Sequence, residues 1–254
     1  MNIAFITAIL PVLLLLYFVY RKDSLNPEPT GKLLLTFFVG CLSVIPAILL
    51  EYVLGSFQPS GQNYPLLSGV FNGYIVAGFS EELCKLLLLC LVIWRSPHFD
   101  EYYDGILYAA FLSLGFACVE NIAYVYGSSD SLSVAIMRGL LAVPAHFLFA
   151  VAMGYHLSLA KFDPAHRTAH FWHAFIYPVL LHGTYDTLLM VSSNLSSEGD
   201  IVSGLVSLVL LLLFIVFDIR MWKWGMKHIK AMQQRSNEQD FNPTDPFSNF
   251  TWNF

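Results

Sequence analysis

Seven side chains in this 254-residue sequence have types and spacings that could do chemistry in an apolar setting. Three lie in the run Gly78-Phe-Ser-Glu-Glu-Leu-Cys-Lys-Leu-Leu-Leu-Leu-Cys90. Glu81 stands four residues and Glu82 three residues before Lys85, so on a helix both carboxylates reach the ammonium. Glu120 precedes Asn121 in Phe116-Ala-Cys-Val-Glu-Asn121, and His146 lies eight residues after Arg138, close to the same helical face. His182 and Asp186, in His182-Gly-Thr-Tyr-Asp186, are one helical turn apart. An ionised group inside hydrocarbon costs roughly 2.5–3.5 kcal/mol on insertion scales, so such residues face a bundle interior or a wet cavity. Singly, each fits a satisfied core residue, and the Glu81/Glu82/Lys85 group fits a buried ion pair that orients helices. Together they suit either of two kinds of work. One is hydrolysis, with water activated by a carboxylate base or by a metal held on histidines and acids. The other is a relay of protons or cations through a transporter.

The elements that carry these residues are apolar helices. The sequence is 56% hydrophobic and 12% charged, with a mean hydropathy of +0.60. Soluble domains carry about 25% charged residues, so the composition points to an all-α, polytopic transmembrane helical bundle. The net charge of −5 gives no sign of nucleic-acid binding. Seven segments are long enough to span a bilayer, at about 2–20, 33–54, 68–94, 104–126, 132–159, 171–192 and 201–221. The first lacks a basic stretch before it and a small-residue cleavage pattern, and Arg21 and Lys22 follow it; it reads as a retained span. Cys41, Cys84, Cys90 and Cys118 all fall inside apolar runs, which suggests neither a disulfide framework nor a paired-cysteine zinc site.

Lys and Arg placement sets an expected orientation. With the N-terminus outside and the C-terminus inside, the inner loops and tail hold 11 of the 13 basic residues; Lys85 and Arg138 remain within spans. Residues 1–230 are then one integral-membrane domain and 231–254 a flexible polar cytoplasmic tail. His156 falls near the inner membrane surface, and His173, at the inner edge of the sixth segment, receives no role. No inverted repeat of the transporter kind is visible.

Several ordered pieces of the chain, from about residue 15 to residue 190, resemble the PrsW family of bacterial intramembrane proteases, a branch of the wider CAAX prenyl protease group. Asp23 with Pro27-Glu-Pro29 looks like the family's first loop, and Glu81-Glu-Leu-Cys-Lys85 matches its EExxK motif. Asp104-Gly105 and the Phe116-to-Asn121 stretch look like its next pieces, His146 falls where the family has a histidine, and His182 to Asp186 matches HxxxD. The resemblance implies peptide-bond hydrolysis in or beside the bilayer of a bacterial inner membrane. The substrate would be a membrane protein with a single span, such as an anti-sigma factor cleaved at the first step of a cascade.

On this reading Glu81 and Glu82 activate water, and Lys85 holds one of them ionised. His146 and His182 polarise the carbonyl or protonate the leaving amine, Asp186 orients His182, and Glu120 serves as a second acid or a ligand. A metal, Zn2+ by analogy, would sit on His146, His182 and Glu120. No HExxH occurs in the sequence, and the metal-free version is preferred. The alternatives are a proton- or cation-coupled transporter using the same groups and a scaffold protein that has lost activity.

Overall fold

A computed structural model describes residues 2–23, 26–61, 63–197 and 199–241. Helices form where the apolar runs predict them: α1 (Asn2–Lys22), α2 (Thr30–Gly55), α5 (Asp104–Gly127), α8 (Arg167–Ser196) and α9 (Ile201–Phe241). The third expected span is composite. A short α3 (Pro65–Phe71) passes through a π-helical segment (Asn72–Phe79) into α4 (Ser80–Ile93). The fifth is broken at Leu141 into α6 (Ser131–Leu140) and α7 (Ala142–Phe162). Pro144 accounts for the break, because it has no N–H to give the carbonyl four residues earlier. Among the described residues, six helices or helix pairs are long and apolar enough to cross a membrane, and the composite 65–93 segment lies beside them.

Helices α5 and α7 form the centre. Ile106 to Ala110 and Phe147 to Ala152 are buried without interruption. Their axes approach closely at Gly105 and Gly154, where a side chain on Gly154 would run into the backbone of Gly105 and Ile106. The remaining helices surround this pair and turn outward such residues as Leu14, Phe38, Leu42, Leu49, Leu208 and Leu212. An apolar exterior over closed backbone hydrogen bonding is what a bilayer requires.

Two devices hold α4, which carries Glu81, Glu82 and Lys85. At its C-terminal end, Lys32 of α2 donates to the Val92 carbonyl (2.9 Å) and Lys161 of α7 to that of Trp94 (2.9 Å). Cations there satisfy carbonyls that the helix leaves open and complement its dipole. At the other end, the π segment presses against α8, and side chains on Gly73 or Gly183 would collide with the facing helix. The close approach brings the start of α4 against His182.

The expected flexible tail is corrected at its start. Residues 231–241 continue α9, and 242–254 lie outside the described residues. The helix continues because it has something to dock on. Ile229 and Met232 are buried, the Tyr103 amide donates to Ser236 Oγ (2.9 Å), and Gln233 donates to the Lys22 carbonyl (2.6 Å).

The same end of the bundle is knitted together by the acidic loop residues. Glu28 N–H donates to Asp23 (3.0 Å), Tyr108 O–H donates to Glu28, and Asp104 accepts from the amides of Asp100 (3.1 Å) and Glu101 (2.6 Å). Burial pushes the Glu28 carboxyl up to about 7; the Tyr108 hydrogen bond opposes this, while Asp100, Asp23 and Glu101 add to it. Burial raises Asp23 as well. The folded protein therefore holds a proton that the unfolded chain releases near 4.5, and stability falls as pH rises from about 4.5 to 7. In detergent, thermal unfolding of the wild type should come at lower temperature at pH 8 than at pH 5. Glu28→Gln, which keeps an acceptor for Tyr108, should flatten that dependence and unfold later than the wild type at pH 8.

Candidate functional site

The site is built around Lys85, which has no exposed surface. Its ammonium donates to Glu81 Oε2 (2.9 Å) and Glu82 Oε1 (2.8 Å) on its own helix, and to His146 Nδ1 (3.2 Å) on α7. An ammonium has three hydrogens and no lone pair, so these three acceptors satisfy it completely. The Phe116 ring of α5 closes the fourth side, with Nζ 4.1 Å from its centroid.

Donor logic then fixes the neighbours. His146 Nδ1 accepts from Lys85, so Nε2 carries the hydrogen and donates to Glu120 Oε2 (2.8 Å). That same carboxylate oxygen takes Arg138 (2.8 Å), which also donates to Asn121 (3.1 Å), and Asn121 in turn donates to the Ala8 carbonyl (2.8 Å). Arg138, together with Asn121 of the expected motif, thus locks Glu120 between α1, α5 and α6.

His182 joins from α8. Its Nδ1 lies 3.0 Å from Glu82 Oε1 and its Nε2 3.3 Å from Asp186 Oδ2. Each ring nitrogen therefore faces a carboxylate oxygen. Phe149 stacks on it at 4.7 Å and 18°, and the His146 ring meets it edge-on at 5.4 Å. The two adjacent glutamates differ in setting. Glu82 is wholly buried between Lys85 and His182, while Glu81 keeps 5% of its surface open.

All seven residues singled out from the sequence meet in this one network. Glu81, Glu82, His146 and His182 each offer one ligand atom, all within 4.8 Å of one another, and Glu120 stands outside that group on the far nitrogen of His146. Two carboxylates and two imidazoles suit a divalent metal. Glu82 Oε2 is buried without a hydrogen-bond partner among the described residues, which leaves it available as a ligand. Among the described residues, the four carboxylates Glu81, Glu82, Glu120 and Asp186 also outnumber the fixed cations paired with them, Lys85 and Arg138. The donor set therefore fits a divalent metal on Glu81, Glu82 and the histidine pair, an ion that would take the place of the Lys85 hydrogen bond on the His146 lone pair, with Glu120 on the other nitrogen of that ring.

One acid was passed over in the sequence. Glu51 of α2 lies near enough to Glu120, Lys85, His182 and Asp186 to interact electrostatically with each. The signal was present, since Glu51 is an acid within an apolar run, but it belongs to none of the recognisable motifs.

The family model described as PrsW family intramembrane metalloprotease matches residues 28–217. A Protease PrsW of Clostridioides difficile (strain 630) is 32% identical over 241 residues, covering 93% of this chain and 94% of its own length. A Protease PrsW of Bacillus subtilis (strain 168) is 38% identical, covering 73% and 82% respectively. One from Geobacillus kaustophilus (strain HTA426) is 36% identical, covering 72% and 78%. No solved structure matches.

Removing one partner of a buried ion pair is strongly destabilising because the other charge is left uncompensated. Lys85→Met should therefore lower stability by about 3–5 kcal/mol, read as an earlier thermal transition in detergent. Arg138→Met should cost less, because Arg138 and Glu120 keep 19% and 18% of their side-chain surface exposed.

Proposed function

Since the chain belongs to the PrsW family of intramembrane metalloproteases, we propose that the Lys85-centred network is its hydrolytic centre, with Glu81 as the base that activates water. Family membership decides between the hydrolase and transporter readings; the division of labour between residues rests on geometry. The observation that carries it is the asymmetry of the glutamate pair. Glu82 is enclosed by Lys85 and His182, while Glu81 has its second ion-pair contact at the longer distance of 3.9 Å from His182 and retains some open surface.

In this mechanism Glu81 takes a proton from a water molecule as the water oxygen attacks the carbonyl carbon of the scissile peptide. A C–O bond forms, and the carbonyl π electrons move onto oxygen. His182, held by Glu82 and Asp186, gives a proton to the amide nitrogen as the C–N bond breaks. The pair that formed that bond leaves with the nitrogen, and the carbonyl re-forms. Lys85 keeps both glutamates in place, and Glu120 fixes the His146 ring. Glu81, Glu82, His146 and His182 would hold a divalent metal, which would supply Lewis-acid polarisation of the water and carbonyl. Zn2+ suits that donor set.

The substrate proposed is a membrane protein with a single span, such as an anti-sigma factor, since the centre lies between spanning helices. The proposed setting is the bacterial inner membrane with the N-terminus outside and the C-terminus inside, as the clustering of basic residues favours.

Cleavage of a single-span substrate by purified protein in detergent tests the assignment. Glu81→Gln should lower kcat by about 10²–10⁴, the usual contribution of a positioned base, with KM little changed. His182→Ala should also lower kcat, whereas full activity of Glu81→Gln would remove Glu81 from the role given to it.

A further inference from the structure

Ten residues along α7 from His146, a second group of imidazoles comes together. His156 of α7 and His170 and His173 of α8 each offer one ring nitrogen, and the three nitrogens lie within 4.8 Å of one another. At 1.5 Å per residue this group stands about 15 Å along the helix from the Lys85 network. It is therefore a separate site. His170 and His173 are three apart and share a face of α8.

The ring nitrogens have a pattern of their own. His156 Nδ1 and His170 Nδ1 are buried and without a hydrogen-bond partner among the described residues. A buried polar atom left so costs about 1–3 kcal/mol, and two of them fall in one cluster. His170 turns its other nitrogen, Nε2, toward Asp163 Oδ2 at 3.5 Å. A carboxylate behind the far nitrogen of an imidazole is the arrangement that orients a metal-binding histidine and fixes its tautomer. It leaves the buried Nδ1 of His170 as the nitrogen with a free lone pair. The His156 ring is held in place by Tyr177, stacked at 4.8 Å and 6°.

We infer that His156, His170 and His173 form a second metal site, separate from the hydrolytic centre, for a divalent transition metal of the zinc type. Three neutral imidazoles bind the ion and leave one position for water. Zn–N bonds of about 2.1 Å in tetrahedral geometry place nitrogens about 3.4 Å apart, so small side-chain rotations close the cluster on an ion. Such an ion ties α7 to α8, the helices that bring His146 and His182 to the hydrolytic centre. It also gives a chelator two places to act. Loss of cleavage on chelation would then not by itself assign a catalytic metal.

The test uses full-length protein purified without a polyhistidine tag, stripped with chelator, then dialysed against micromolar Zn2+. Retained zinc is counted by mass spectrometry and the thermal transition is followed. His170→Gln combined with His173→Gln should retain one zinc equivalent fewer than the wild type and lose the zinc-dependent rise in Tm that this site confers. His182→Ala, which alters only the hydrolytic centre, should keep the zinc equivalent and the Tm rise that belong to the His156/His170/His173 site, and adding the double substitution to it should remove one further equivalent. The single variants His170→Gln and His173→Gln should each weaken zinc binding at least tenfold, which keeps the test decisive if the double variant folds poorly. Equal zinc in the wild type and the histidine variants, or no zinc retained by the wild type, would overturn the site and leave the three rings as an aromatic stack on Tyr177.

Discussion

The structure depends on one buried ammonium. Lys85 has no exposed surface, and each of its three hydrogens has an acceptor within 3.2 Å. In a low-dielectric interior such a cation is tolerable only when its partners are complete, and the partners come from more than one helix. Glu81 and Glu82 are supplied by α4, His146 by α7, and the aromatic wall by Phe116 of α5. His182 of α8 then binds the far side of the same Glu82 oxygen. Packing four helices correctly is thus a condition for neutralising a single charge, which couples the fold to the chemistry of the site.

The rest of the bundle serves that condition by fixing where α4 begins and ends. Lysines from α2 and α7 cap its last carbonyls. The π segment before Ser80 and the bare surfaces of Gly73 and Gly183 let its first turn approach α8. π-helical turns recur at functional sites because the extra residue redirects the side chains that follow, here Glu81 and Glu82. The extended α9 and the acidic loop residues Asp23, Glu28 and Asp104 brace one end of the bundle. The loop motifs that resemble the family pattern therefore have a structural use distinct from that of EExxK and HxxxD.

What could be read from the sequence was whatever helical periodicity carries within one segment. The Glu81/Glu82/Lys85 spacing and the His182/Asp186 turn are intrahelical, and the structure reproduces both. The count of spans followed from length and apolarity, although one is composite and one is broken at Leu141. The π segment escaped notice because its hydrophobic pattern is that of an ordinary buried helix. Pairings between helices were also out of reach. Nothing local says that Glu120 would bond His146 and Arg138, or that Glu51 would lie near the same network. His156 was read as interfacial and His173 as without a role, since their meeting with His170 depends on how α7 and α8 pack. The helical start of the expected tail was hidden for the same reason: its polar residues find partners at Lys22, Asp100 and Tyr103, distant in sequence.

The central claim is that Glu82 and His182 work as one unit, joined by the 3.0 Å contact between α4 and α8. A double-mutant cycle on kcat with Glu82→Gln, His182→Asn and the combination, using one single-span substrate in detergent, measures that directly. Groups that act together are strongly non-additive, so the double variant should be about as slow as the slower single variant. Losses that multiply would mean that the two residues act independently, and would contradict an account in which the network around Lys85 is the catalytic unit.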